Sequence, residues 1–223
     1  YEQETTRLFE QTVQSGMTVV DIGAHVGYYT LLAAKNTGPS GKVYAFEPEP
    51  NNYALLKKNV ELNHYENIHV ENKAVYSSAG PAELYLTQLH SGRHSMYQHE
   101  IPQSGRLEIE TVTLDDFLCQ IACRHVDLIK VDVEGAELEI LQGMSRLLHR
   151  AKSLVLIIEF NPQLLKDAGV DPFLFPQSLA CYGFDTSWID EDRGLLPFDR
   201  INLETSINKL VKTKSSVNLY CSK

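Results

Sequence analysis

Apolar and polar positions alternate in blocks along the chain, and short apolar runs rich in β-branched residues are separated by longer amphipathic stretches. A short run bounded by glycines is typical of a buried parallel strand, whereas apolar positions three or four residues apart indicate a helix. The pattern predicts strands at 17–22, 43–46, 68–75, 82–87, 107–112, 126–133, 154–160, 184–189 and 216–221. It predicts helices at 4–14, 25–35, 51–63, 114–121, 136–148 and 173–181.

Strands that alternate with helices at this spacing predict an α/β fold. In such a fold a mostly parallel sheet carries helices on both faces, joined by right-handed crossovers. We expect residues 1–223 to form a single domain that begins with a helix within residues 1–16. Two polar segments, 88–105 and 190–215, lie between predicted elements, and the second has an irregular pattern. Long loops of this kind often bind ligands, so we expect both segments to shape a pocket.

The formal net charge of −9 narrows the choice of partner. Lys and Arg are scattered, and we expect no nucleic-acid partner because affinity for a phosphate backbone depends on clustered basic residues. An acidic chain instead fits a small neutral or cationic ligand. The longest apolar run, residues 154–158, is far shorter than the roughly 20 residues of a membrane span. The first residues lack the basic and apolar regions of a signal peptide, so we expect a cytoplasmic protein.

The cysteines give no sign of a metal site. Cys119, Cys123, Cys181 and Cys221 form neither a C-x-x-C pair nor the two-plus-two spacing of a zinc site. We therefore expect buried, reduced thiols and no bound metal.

The strongest local motif is Asp21-Ile22-Gly23-Ala24-His25-Val26-Gly27, at the point where a strand gives way to a helix. Gly23 permits a sharp turn and a close approach to a ligand, and the helix N-terminus offers free N–H groups. The spacing D-x-G-x-x-x-G differs from the dinucleotide fingerprint G-x-G-x-x-G. A carboxylate at Asp21 would repel a pyrophosphate but suit an ammonium or sulfonium group. The motif therefore favours S-adenosylmethionine over a nicotinamide dinucleotide.

Two further strand ends carry acidic residues. Glu47 lies 20 residues after Gly27, where a carboxylate is the expected partner of two ribose hydroxyls. Lys130, Asp132 and Glu134 alternate along the strand 126–133, so their side chains share one face near its carboxyl end. Charged groups on an apolar strand are costly unless they are paired or used. A structural ion pair made by Lys130 is the alternative to a functional site.

Several blocks resemble the FkbM family of methyltransferases, and the resemblance covers essentially the whole chain in order. The blocks are Tyr1-Glu2-Gln3-Glu4-Thr5, residues 21–30, Phe46-Glu47-Pro48, Ile129-Lys130-Val131-Asp132-Val133-Glu134-Gly135-Ala136-Glu137 and Ile158-Glu159-Phe160-Asn161-Pro162. The resemblance implies a class I methyltransferase Rossmann-like fold with a seven-stranded sheet. It also implies S-adenosylmethionine as methyl donor, S-adenosylhomocysteine as product, and O-methylation of a hydroxyl, often on a sugar or natural-product intermediate.

The resemblance also implies roles for individual residues. Asp21, Gly23, Ala24 and Gly27 would lie near the methionyl part of the donor, Glu47 and Pro48 near its ribose, and Asn72, Lys73 and Ala74 near its adenine. Asp132 and Glu134 would lie beside the transferred methyl group, and Glu4 and Thr5 would close over the methionyl part. His25 stands where the family often has Asn.

Methyl transfer is an in-line displacement that depends on holding acceptor and donor in near-attack geometry. A general base would help the acceptor hydroxyl lose its proton. The candidates are Asp132, Glu134, Glu159 at the end of an apolar strand, and His94 in the polar loop; we expect carboxylates rather than a metal to assist.

Three other functions stay open at this point. A non-catalytic protein that binds the donor would show the same motifs, and an NAD-dependent oxidoreductase would share the fold. A base-modifying nucleic-acid methyltransferase would show an Asn/Asp-Pro-Pro-aromatic motif after strand four, where this chain has Asp132-Val133-Glu134-Gly135. The pattern makes no prediction of oligomeric state.

Overall fold

A computed structural model describes residues 2–87, 94–97, 103–198 and 201–223, so most of the predicted loop 88–105 lies outside the described residues. The helices are α1 Gln3–Thr12, α2 Tyr28–Thr37, α3 Pro50–Leu62, α4 Leu114–Gln120, α5 Glu137–Gly143, α6 Ser145–Arg150, α7 Pro162–Asp167, α8 Leu174–Cys181 and α9 Leu203–Thr213. The strands are β1 Thr18–Ile22, β2 Lys42–Phe46, β3 Ile68–Glu71, β4 Ala74–Val75, β5 Gly80–Thr87, β6 Gln103–Val112, β7 Leu128–Val131, β8 Val155–Phe160, β9 Asp185–Asp190, β10 Gly194–Pro197 and β11 Val217–Ser222.

The main sheet has the strand order β10-β9-β11-β8-β7-β1-β2-β3. The strands β3, β2, β1, β7 and β8 pair in parallel, and β11, β9 and β10 follow in antiparallel pairs. The predicted α/β fold with a mostly parallel sheet is confirmed. Because β1 lies between β2 and β7, the chain reverses its direction of winding there, and ligands bind at the carboxyl ends of the strands beside such a point.

The main sheet has eight strands rather than the expected seven, because residues 190–215 are not irregular. They contain β10, which pairs with β9 through a turn closed by Asp190 and Arg193, and the amphipathic helix α9. The hydrophobic pattern of this segment is weak. β10 has only four residues and ends at a proline, and α9 buries a single residue, Ile207.

Residues 68–75 form two short strands instead of one. β3 joins the main sheet, whereas β4 belongs to a separate three-stranded sheet with the order β4-β6-β5. Between them, the Asn72 side-chain amide donates hydrogen bonds to the carbonyl oxygens of Glu47 and Pro48, at 2.9 and 3.0 Å. The chain therefore leaves the main sheet directly beside the turn after β2.

Alternation along the strands sends side chains to two apolar layers. Val20, Ile129 and Leu156, which are in register, pack in one cluster with α4, α5 and α6, whereas Val19 and Leu128 pack in the other with α1 and α2. The predicted helix 136–148 is split after Gly143, because that residue approaches the Tyr76 carbonyl so closely that a Cβ would lie 2.0 Å from it. No helix in the described part of the chain is long and apolar enough to cross a membrane.

The expectation of four buried thiols is wrong in part. All four cysteines are free, and Cys221 is buried, but Cys119 and Cys181 are exposed and Cys123 is half-buried. Within the described ranges no group of His, Cys, Asp and Glu side chains has an arrangement that could hold a metal ion.

Candidate active site

The turn between β1 and α2 depends on its glycines. Gly23 has φ +79°, and a Cβ there would lie 2.0 Å from the carbonyl oxygen of Asp132. Gly27 has φ +95°, and a Cβ would lie 2.5 Å from Leu56. His25 also has a positive φ, of 50°, so the helix begins at Tyr28 rather than at the predicted residue 25. At Gly23 the turn packs directly against the main chain of the segment after β7, which leaves no room for a side chain.

Asp21 lies at the end of β1 and is only 2% exposed, while its neighbours Ile22 and Gly23 line the pocket. Its carboxylate accepts a hydrogen bond from the Thr30 hydroxyl at 2.5 Å. Burial raises the pKa of Asp21 to about 6, although the Thr30 bond and the Lys130 ammonium lower it. Asp21 therefore acts on the site through the turn and through its charge.

Glu47, at the end of β2, is buried and holds two turns together. Its carboxylate accepts the N–H of His25 at 2.8 Å and the N–H of Glu49 at 3.0 Å. Burial raises the pKa of Glu47 to about 7 against the effect of these bonds. The carboxylate is thus fixed at the edge of the pocket, where the sequence predicted it.

A pocket that is partly open to solvent lies at the carboxyl ends of β1, β2 and β7. Predicted site residues that line the pocket are Gly23, Glu47, Pro48, Lys73, Ala74, His94, Asp132 and Glu134. Lining residues that sequence reasoning missed are Ile22, His25, Phe46, Val75, Leu84, Ser95, Met96, Val133 and Ala136. Among these, Leu84, Ser95 and Met96 come from the second sheet and its connecting loop, which carry no motif.

Other predicted residues lie outside the pocket lining, namely Glu4, Thr5, Asp21, Ala24, Gly27, Asn72 and Glu159. The Glu4 carboxylate accepts hydrogen bonds from Arg7, and its N–H donates to the carboxylate of Glu191 at 3.1 Å. Thr5 is buried in α1. Glu2, just before α1, is exposed as a residue, but partial desolvation of its carboxyl group raises its pKa, opposed by the charge of Lys130 and by a bond with Asn218.

Several carboxyl groups meet beyond the ends of β7 and β8. The strand β7 ends at Val131, so Asp132 and Glu134 follow it in a loop rather than extend it as predicted. Asp132 lies 3.2 Å from the buried Lys130 ammonium, and the Glu134 carbonyl accepts the Ser95 hydroxyl at 2.5 Å. Burial, and then the charges of Asp132 and Glu134, raises the pKa of Glu159 to about 8.

Glu137 is a further buried acid that sequence reasoning assigned to the dipole of the next helix. One carboxylate oxygen accepts the N–H of Gly135 at 3.1 Å, and burial raises its pKa well above the ordinary value. Its position in the first turn of α5 is as expected, but the full burial is not.

His94 lies over the pocket at its donor end. Its Nδ1 accepts the N–H of Thr87 at 3.2 Å, so the neutral ring carries its proton on Nε2. Burial lowers the pKa of His94, and its charged neighbours are Glu49 and His25 rather than the carboxyl groups after β7. In this arrangement Nε2 is a hydrogen-bond donor and cannot accept a proton from an acceptor hydroxyl.

The pocket fits S-adenosylmethionine. A turn that excludes a Cβ at Gly23 leaves room for close approach to the main chain, and a buried carboxylate at Glu47 suits two vicinal hydroxyls. Fold and pocket are those expected of the class of S-adenosylmethionine-dependent methyltransferases. The chain belongs to the FkbM methyltransferase family, because residues 21–184 match the Methyltransferase FkbM domain.

One similar relative is the 31-O-demethyl-FK506 methyltransferase FkbM of Streptomyces tacrolimicus, 29% identical over 59% of this chain and 61% of that protein. The matched segments span between 57% and 73% of the length of four curated relatives.

Solved structures share the fold at low sequence identity. Methyltransferase FkbM from Methylobacillus flagellatus KT has a TM-score of 0.57 and 18% identity, over 92% of this chain and 43% of that chain. A Streptococcus mutans protein solved in complex with SAH has a TM-score of 0.56 and 11% identity, over 98% of this chain and 95% of that one. The family and these folds establish S-adenosylmethionine as the cofactor.

Proposed function

We propose that this chain transfers the methyl group of S-adenosylmethionine to a hydroxyl oxygen of a small molecule, such as a sugar or a natural-product intermediate. The observation that carries the proposal is one pocket in which Gly23 and Glu47 lie together with Asp132 and Glu134. The relative named for 31-O-demethyl-FK506 supports an oxygen acceptor.

The chain's own residues would hold the donor from three sides. S-adenosylmethionine, when bound, supplies an electrophilic methyl group on a sulfonium. Glu47 would accept the ribose hydroxyls, and the turn at Gly23 would admit the methionyl part, with the charge of Asp21 behind it. Lys73 and Ala74 would line the adenine, while the roles of Glu4 and Thr5 stay predictions.

The acceptor hydroxyl must lose its proton as its oxygen attacks. We assign the general base to Asp132, because it lines the pocket and the Lys130 ammonium at 3.2 Å stabilises a charged carboxylate. Glu159, with a pKa of about 8, holds its proton at neutral pH, and because it lies outside the pocket lining we assign it no contact with the acceptor.

The test uses S-adenosylmethionine with a labelled methyl group and a panel of alkyl glycosides, polyketide alcohols and their amine analogues. We expect label in base-stable methyl ethers, and Asp132→Asn should lower turnover by about 100-fold or more while the donor still binds. Label found in the amines alone would contradict a hydroxyl acceptor. Turnover should survive a chelator, whereas loss with rescue by magnesium would contradict a carboxylate-assisted transfer.

Calorimetric titration separates the alternatives. We expect the wild type to bind S-adenosylmethionine and S-adenosylhomocysteine but not NAD, and the double variant Asp21→Ala/Glu47→Ala to bind none of the three. Intact donor binding without transfer to any acceptor would favour a non-catalytic donor-binding protein. Binding of NAD would favour an oxidoreductase.

A further inference from the structure

Lys130 is a fully buried lysine in β7, at the centre of the main sheet. Its ammonium lies 3.2 Å from an Asp132 carboxylate oxygen and 3.3 Å from the carbonyl oxygen of Val131. It also lies 5.2 Å from the centre of the Tyr29 ring. Removing an ammonium from water is costly, so its surroundings must stabilise the charge.

The neighbouring strands place acidic groups on the same face as Lys130. In β1, Asp21 is directly in register with it, and in β8, Glu159 follows two residues after its partner Ile157. Side chains two residues apart point to the same side of a strand. Glu2, from the start of α1, is the fourth acidic group that faces Lys130, beside Asp21, Asp132 and Glu159.

These four groups decide the charge of Lys130. Burial by itself lowers the pKa of the ammonium, but the carboxylates, Asp132 first, outweigh burial and raise it. Lys130 in turn lowers the pKa values of Asp21, Glu2 and Glu159, each of which burial raises. The buried cation and the acids around it therefore stabilise one another.

We propose that Lys130 is a positioning residue that holds the donor-side Asp21 in its charged form and fixes the carboxylate of the reaction-side Asp132 in place, and so links donor binding to the site of methyl transfer. The assignment of a reaction side rests on the proposed function. Lys130 itself lies beneath the site, where it acts through these carboxyl groups. If Lys130 were paired with Asp132 alone, the pair would be neutral and would have little effect on how Asp21 titrates.

The test is a pH titration of the Asp21 carboxyl group, monitored by carbon NMR on the whole chain without donor or acceptor. The wild type should titrate near a pKa of about 6. In Lys130→Met the midpoint should rise by about one pH unit or more, because the facing charge is lost. Lys130→Arg, which keeps the charge, should restore a midpoint close to that of the wild type.

Lys223→Met is the matched control. It removes a partly buried lysine that binds the carbonyl oxygen of Tyr182 at the other end of the sheet, and it should leave the Asp21 midpoint unchanged. A folded Lys130→Met whose Asp21 titrates as in the wild type would overturn the proposal. Since no methyl acceptor is involved, failure of O-methylation would leave this result intact.

A wild-type measurement covers the case in which Lys130→Met does not fold. The nitrogen signal of the Lys130 ammonium should shift with pH through the same midpoint as the Asp21 carboxyl group. A signal that stays constant while Asp21 titrates would overturn the proposal without any variant.

Discussion

The donor side and the reaction side of the pocket are built by different means. On the donor side, the turn at Gly23 follows the main chain of Asp132 closely, and Glu47 is fixed by two backbone N–H groups. On the reaction side, the environment is set by ionisable side chains around Lys130, with a raised pKa at Glu159. Backbone geometry thus shapes one half, and charge balance the other.

The difference predicts how each half responds to change. A close contact between main-chain segments has no room to relax. Adding even one methyl group on the donor side should therefore lower donor affinity strongly at every pH. A charge network can exchange protons with solvent, so changes on the reaction side should appear mainly as altered pH dependence.

Gly23→Ala should have the largest effect on donor binding. Its Cβ would lie 2.0 Å from a carbonyl oxygen at a φ of +79°, and a strain of about 3 kcal/mol corresponds to roughly a 100-fold loss in affinity. Calorimetry with S-adenosylmethionine measures the loss. Gly105→Ala, where a Cβ meets nothing within 4 Å, is the control. Near wild-type affinity in Gly23→Ala would show that the turn can adjust.

Glu47→Gln should weaken donor binding by about tenfold or more, since charge-assisted hydrogen bonds contribute roughly 1.5–3 kcal/mol. Because the pKa of Glu47 is about 7, wild-type affinity should fall as the pH is lowered through that value, and the variant should lack this step. Titrations at several pH values measure both effects. The control is Glu83→Gln, at an exposed ion pair with Arg106, which should bind the donor as the wild type does. If the fall in affinity near pH 7 persists in Glu47→Gln, a group other than Glu47 causes it.

Glu159 should make folding stability depend on pH. Its pKa is about 8 in the folded chain against an ordinary 4.5, so it contributes stability below pH 4.5 that is lost as the pH rises through about 8. The free energy of unfolding of Glu159→Gln should therefore rise relative to that of the wild type by about a few kcal/mol as the pH increases over this range. Urea unfolding at several pH values tests this, again beside Glu83→Gln. A pH-independent difference would mean that the pKa of Glu159 is the same in the folded and the unfolded chain.

Ser95→Ala should have the smallest effect, a few-fold loss of donor affinity. The Ser95 hydroxyl donates to the Glu134 carbonyl at 2.5 Å and accepts the N–H of Tyr97 at 3.1 Å, and a neutral hydrogen bond contributes about 1 kcal/mol. Ser104→Ala, whose exposed hydroxyl binds the Leu86 carbonyl, is the control. Equal affinities in both variants would mean that the loop contact does not support the pocket.

Local patterns were enough to predict much of the donor side. The residues from Asp21 to Tyr28 run from the end of a strand through a turn to the start of a helix, so periodicity and glycine spacing identified them. Glu47 was identified by its distance along the sequence from Gly27. Gly23 and Glu47 line the pocket because a parallel sheet brings the carboxyl ends of neighbouring strands to one edge, whereas Asp21, Ala24 and Gly27 lie outside the lining.

Contacts between elements that are far apart in sequence could not be predicted from local patterns. Ser95 and Met96 lie in the polar segment 88–105, which was expected to shape a pocket, but only the pairing of β5 with β6 decides which of its described residues line that pocket. Glu2 lies near Lys130 because the position of α1 is set by packing against α2 and β9, and no local pattern indicates that proximity.

The sequence by itself determined the fold class, the glycine turn and an acidic residue at the end of the second strand, since each depends on residues a few positions apart. The tertiary structure alone decided which acids surround Lys130, which nitrogen of His94 carries the proton and which residues cover the pocket. Those properties depend on burial and on distances between separate elements, and desolvation and Coulomb interactions are set by the assembled structure.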